Sequence, residues 1–102
     1  MLQFIPTQPP ELLYHGTGAT AVPAIQQQGL QKMSRHHVHL SCDRATAKKV
    51  GQRHGKPAIF QVKAQKLYQD KLQFYCTANN VWLVDHVPPQ YLLLLTLNPS
   101  AK

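Results

Sequence analysis

The stretch MSRHHVHLS, residues 33–41, puts Arg35, His36, His37 and His39 within five positions. Arginine offers a planar fork of donors that matches phosphate oxygens. Imidazole can donate, accept, stack on a planar ring or bind a metal. Period-two alternation turns Val38 and Leu40 to one face of a strand and His37, His39 and Ser41 to the other, with Arg35 beyond them at the strand's start. Three readings of that face stand side by side. Two imidazoles two apart can share an ion, although a metal site needs a third or fourth ligand and no paired carboxylate or thiolate is supplied nearby. A structural histidine pair is the second reading. The third is an anion and nucleotide site, in which Arg35 grips a phosphate and an imidazole lies against a planar ring.

YHGT is the second stretch with chemistry in it. His15 and Thr17 can hydrogen-bond sugar hydroxyls, and Gly16, with no Cβ, lets a planar amide approach the backbone. A plain strand-end turn accounts for the same residues. Glu11, Asp43, Asp70 and Asp85 are the chain's four acidic residues. None stands out as an acid or base: Asp43 reads as a helix cap and Asp85 as a turn residue. No serine or cysteine has an evident activating base. An enzyme made from this chain would work by positioning and charge stabilisation.

The elements that must hold these residues can be read from pattern. LLYHGTG is a short strand running into a glycine turn. TAVPAIQQQG is a helix capped by Thr20 and ended by Gly29, and DRATAKKVGQRHG is a second, capped by Asp43 and ended by Gly55. In the second helix Ala47 and Val50 face inward, while Arg44 with Lys48 and Lys49 with Arg53 form a basic flank. PAIFQVKA is a strand, FYCTANNVWLV is two short strands pinched at Asn79-Asn80, and YLLLLTL is a buried strand after a Pro-Pro bend. Residues 1–10, with three prolines, form an extended lead-in. The sum is one small α+β domain with two short helices.

Composition narrows the partners. The chain has 102 residues, 43% of them apolar, and a net charge of +7 that comes from scarcity of acid. Such a surplus favours polyanions, nucleic acid first, although a solubility charge is the bland alternative. Cys42 and Cys76 lack metal or redox spacing and read as reduced thiols of a soluble cytoplasmic protein. Neither a signal peptide nor a membrane span is expected.

LYHGT, GLQKMSRHHVHLS, RHGKP, NNVWL and VPPQYL, in that order from about Pro9 to Leu93, resemble the NAD-dependent RNA (tRNA) 2′-phosphotransferase family. The likeness is to that family's C-terminal ADP-ribosyltransferase lobe. It implies a split β-sandwich over residues 11–98 that holds NAD in a cleft, with residues 1–10 matching an interlobe linker. The family's N-terminal winged-helix-like lobe has no counterpart here, so a separate chain is one source for it.

By the same resemblance, His15 would hold the adenosine-side ribose, Gly16 would receive the nicotinamide amide and Thr17 would lie beside them. His39 would stack near nicotinamide, flanked by Leu40 and Ser41. Val81 would stand where many ADP-ribosyltransferases carry a glutamate. Arg35 would hold the RNA 2′-phosphate, making Arg35 and His39 the catalytic pair, with NAD as co-substrate and no metal. Arg53, His54 and Lys56 in RHGKP could touch RNA, or could be a helix end whose positive charge suits its dipole. The implied reaction moves an internal RNA 2′-phosphate to ADP-ribose, giving ADP-ribose cyclic phosphate and nicotinamide. Two alternatives stand beside it: ADP-ribosylation of nucleic-acid phosphates only, and a non-catalytic NAD- or RNA-binding module.

Overall fold

Ala58, Phe60 and Val62 are fully buried and alternate with half-buried Ile59 and Gln61, which makes Pro57–Lys63 a strand with one core face. This strand is β4 of the fold. The structure is a computed structural model that describes residues 5–33 and 35–95. Residues 1–4 of the expected linker and 96–98 of the expected lobe lie outside the described residues.

The other elements are β1 (Leu12–Gly18), α1 (Val22–Gln28), β2 (Leu30–Gln31), β3 (Val38–Leu40), α2 (Arg44–Gln52), α3 (Ala64–Gln69), β5 (Phe74–Cys76), β6 (Trp82–Val84), β7 (His86–Val87) and β8 (Leu92–Leu94). Three antiparallel sheets result, with orders β1-β4-β8, β2-β7 and β3-β6-β5. The first and third meet at one pair, Tyr14 with Ser41, whose backbones exchange hydrogen bonds of 2.8 and 2.7 Å. Leu13, Leu40, Val62, Leu67, Phe74 and Val84 fill the space between them. The α+β class expected from the sequence is the class observed.

Several local readings hold for their stated reasons. Asp43 caps α2, its carboxylate accepting from the Thr46 N–H at 2.7 Å. Asn80 sits at φ 63 in the turn between β5 and β6, a conformation asparagine tolerates. Others need correction. Thr20 does not cap α1, because residues 19–21 wind into a 3₁₀ turn and the helix starts at Val22 with Ala21 before it. His15, Gly16 and Thr17 stay inside β1, paired with Phe60, Ile59 and Ala58, rather than entering a turn.

β8 is not a buried strand. It pairs only with β4 among the described residues, and Leu93 is 53% exposed. A third helix, α3, adds to the two read from the sequence. Ala64 and Leu67 bury its inner face, but no side chain caps it.

Candidate active site

The Tyr14–Ser41 pair is the one backbone bridge between the two larger sheets among the described residues, and a cleft lies beside it. The cleft encloses about 700 Å³ between β1, α1, the segment after β2, and the end of α2. Its walls include His15, Gly16 and Thr17 from β1, then Arg35 and His39, and His54 beyond α2. Alternation on β3 explains His39: Val38 and Leu40 go into the core, so the residue between them faces out.

Three of these residues are linked by hydrogen bonds, one through the His39 ring and one through its backbone. His15 Nδ1 lies 3.1 Å from the His39 carbonyl oxygen. A carbonyl only accepts, so His15 carries its proton on Nδ1, and its neutral form keeps a lone pair on Nε2. Arg35 Nη1 lies 3.2 Å from His39 Nδ1. A guanidinium only donates, so His39 Nδ1 is the acceptor and the neutral ring carries its proton on Nε2. The guanidinium has five N–H groups, and this bond engages a fraction of its capacity.

Electrostatics agree with those tautomers. Burial lowers the His15 pKa, against a smaller opposing effect of the bond to the His39 carbonyl. Burial is also the largest cause lowering His39, followed by the Arg35 cation and then by His37. Both imidazoles therefore favour the neutral state at neutral pH. At its hydrogen-bonded centre the site presents the Arg35 cation beside two neutral rings, His15 and His39.

Gly16 is glycine for a reason the sequence did not disclose. A Cβ there would fall 1.7 Å from the Ala47 carbonyl oxygen, and one on Gly51 would fall 2.8 Å from the Thr17 carbonyl oxygen. α2 thus lies directly on the β1 backbone, and the two glycines permit that approach. It brings Val50 and His54 to the cleft wall.

The expected residues divide into two groups. His15, Gly16, Thr17, Arg35 and His39 share the cleft. Leu40 is buried in the core, and Ser41 is partly buried, with its backbone committed to Tyr14. Val81 directly precedes β6, its N–H donating to Thr77 Oγ1 at 3.1 Å, and is not among the residues lining the cleft. Arg53 and Lys56 are exposed on either side of His54, which does line it.

The sequence reading left two features of the site unremarked. Lys32 lines the cleft and its Nζ lies 2.8 Å from Asp85 Oδ1. The only signal for it was its place within the same stretch as Arg35. His37 packs edge-on against Tyr75, ring centres 5.6 Å apart. Among the described residues no group of three or more His, Cys, Asp or Glu side chains could hold a metal. No helix among them is long and apolar enough to cross a membrane.

Comparison with known proteins bears on this geometry. The sequence model described as "RNA 2'-phosphotransferase, Tpt1 / KptA family" matches residues 2–86. A protein of Trichormus variabilis named "Probable RNA 2'-phosphotransferase" is 61% identical over 94 residues, covering 92% of this chain and 52% of its own length. One of the same name from Nostoc punctiforme is 58% identical over 91 residues, covering 89% and 50%. Another from Rhodopirellula baltica is 53% identical over 95 residues, covering 93% and 52%. The chain spans about half the length of the curated relatives it matches.

Proposed function

The chain belongs to the RNA 2'-phosphotransferase, Tpt1 / KptA family, and from that premise we propose that it binds NAD in the cleft and acts with it on RNA carrying an internal 2′-phosphate. The products would be RNA with a 2′-hydroxyl, ADP-ribose cyclic phosphate and nicotinamide. One observation carries the reading: the Arg35–His39–His15 chain of hydrogen bonds at the cleft wall.

The residues present fit a dinucleotide. A cleft of about 700 Å³ is of ligand size. Neutral His15 offers Nε2 as an acceptor for a ribose hydroxyl, and Thr17 adds a hydroxyl beside it. Gly16 contributes backbone in reach of an amide. When bound, NAD supplies the electrophilic ribose carbon whose bond to nicotinamide breaks.

Arg35 is the cation for the RNA 2′-phosphate. A phosphate is already ionised at neutral pH and needs no general base to attack. It does need a cation to bring it close to a co-substrate that is itself anionic, and Arg35 supplies that at the cleft mouth. His39, neutral and oriented by Arg35, offers its ring to the nicotinamide end. Leu40, buried in the core, would support this surface from behind, while Ser41 and Val81, both partly buried, would border the bound NAD. Arg53 and Lys56, flanking His54, would meet RNA outside the cleft.

In this reading residues 11–98 are the NAD lobe and 1–10 its lead-in. The remaining half of the relatives' length corresponds to a lobe that adds further phosphate-binding groups, in the same protein or on a separate chain. A tRNA-like substrate and a cytoplasmic setting follow from the same proposal, and the free thiols of Cys42 and Cys76 suit a reducing compartment.

The test is incubation of the chain with NAD and an RNA bearing one internal 2′-phosphate, with products read by mass. Loss of the phosphate with ADP-ribose cyclic phosphate formed is the expected result. Accumulation of RNA carrying ADP-ribose would favour the narrower activity, ADP-ribosylation alone, and would assign the second step to the other lobe. Absence of both products together with no NAD binding would sink the reading.

A further inference from the structure

The lip of the cleft that carries Arg35 has little regular structure of its own. β2 contributes Leu30 and Gln31, paired with Val87 and His86 of β7. Lys32 and Met33 follow, Met33 at φ 55, and the Arg35 N–H then donates to the Lys32 carbonyl at 2.8 Å. Among the described residues of this lip, two ladder pairs and one turn bond hold the backbone that presents the Arg35 fork of donors.

One carboxylate supplies a further constraint. Asp85, between β6 and β7, receives Lys32 Nζ on Oδ1 at 2.8 Å and His86 Nδ1 on Oδ2 at 2.9 Å. The two hydrogen bonds, that of Lys32 first, hold its carboxyl down at about 2. It is one of four acidic residues in a chain of net charge +7. The contacts then run without a gap: Asp85 to the Lys32 ammonium, the Lys32 carbonyl to the Arg35 amide, the Arg35 guanidinium to His39.

We propose that Asp85 is a positioning residue for Arg35, anchoring Lys32 to the corner between β6 and β7 so that the turn after it aims the guanidinium at His39. The inference rests on the reading of Arg35 and His39 given above. It differs from a role in folding. Asp85 and Lys32 are both about half exposed, and an ion pair so placed adds little to global stability. A folding role would lower the melting temperature and move His15 together with His39 when the charge is removed. A positioning role would show at His39 first.

Two measurements on the full chain separate these outcomes, using Asp85→Asn and Asp85→Glu. The first is titration of the imidazoles by NMR. Arg35, His37 and His15 are the charged or titratable groups around His39, and the Arg35 cation helps hold its pKa down. In Asp85→Asn the guanidinium spends less time at His39, and the His39 midpoint rises by about half a unit. The His15 midpoint stays where it was, and Asp85→Glu returns His39 toward its original value.

The second measurement is turnover with NAD and 2′-phosphorylated RNA. Asp85→Asn lowers kcat about tenfold with KM for NAD within roughly twofold, because a misaimed group costs rate rather than cofactor binding. An unmoved His39 midpoint in the folded Asp85→Asn protein overturns the proposal. So does a joint shift of His15, His39 and the melting temperature, which would mark general loosening. If the unmodified chain shows neither turnover nor NAD binding, the functional reading fails, and the titration still decides the role of Asp85.

Discussion

The cleft wall and the outer face of α2 both carry cationic side chains and hold them in different physical states. On the wall, Arg35 and His39 are hydrogen-bonded to each other, His15 is bonded to the His39 backbone, and burial lowers both imidazole pKa values. On the helix, Arg44, Lys48, Lys49 and Arg53 are all exposed, and Arg44 lies 5.7 Å from the centre of the Tyr14 ring. The helix has the larger charge. The cleft has the charge that is aimed. A solvated cation attracts any polyanion at a distance and is screened by salt, whereas an oriented guanidinium discriminates by geometry.

The sharpest way to break this comparison is to remove the aimed charge. Arg35→Ala is expected to lower turnover of 2′-phosphorylated RNA by about 10²–10³-fold, the cost of losing one oriented donor at developing charge. NAD affinity should stay within a few-fold, since His15 and the β1 backbone remain. Steady-state kinetics beside an NAD titration checks both. If turnover survives, the cleft arginine is no more specialised than those on the helix.

A smaller effect follows from the neutral imidazoles. Protonated His15 loses its Nε2 lone pair and cannot accept from a hydroxyl. NAD affinity should therefore fall as pH drops below the ordinary histidine value, by about fivefold once the ring is protonated, the worth of one ordinary hydrogen bond. Stability should move in the same direction. The folded-state pKa of His15 is lowered, so as pH falls below the ordinary value of 6.5 the unfolded chain takes up the proton first. The stabilisation from the neutral ring is whole above that value and is lost as pH falls toward the folded-state pKa. Melting temperatures of the chain and of His15→Gln between pH 5 and 8 test the sign: the slope should flatten in the variant.

How far the sequence discloses each region follows from how local the contacts are. The basic flank of α2 is legible because it needs only helical periodicity and a cap at Asp43, although the helix ends at Gln52, short of the stop expected at Gly55. Arg35 and His39 are four residues apart on one strand approach, and alternation alone turns His39 away from the core. His15 reaches His39 across 24 positions, through a sheet junction made by Tyr14 and Ser41. No spacing rule finds that, and only resemblance put the two histidines in one site. The Lys32–Asp85 pair spans 53 positions and went unread. At Gly16 the sequence suggests room for a ligand, and the backbone of α2 fills the place of the missing Cβ. α3 was missed although Ala64, Leu67 and Tyr68 carry helical spacing, because six residues without a capping side chain give little else to read.

The least effect is expected on α2, and its sidedness makes it testable. Val50 and His54 line the cleft, while Ala47 and Gly51 pack on β1. At about 100° per residue, Lys49 and Arg53 fall on the flank adjoining Val50, and Arg44 and Lys48 on the opposite one. If RNA leaves the cleft along this helix, it passes the first pair and misses the second. Lys49→Gln should weaken RNA binding about two- to threefold near physiological salt and reduce the slope of log affinity against log salt by about 0.7. Lys48→Gln, with the same change in net charge, should leave the slope nearly where it was. Equal losses from the two variants would mean that the helix acts through net charge alone. Unequal losses would mean that the exposed face, like the cleft, has a direction.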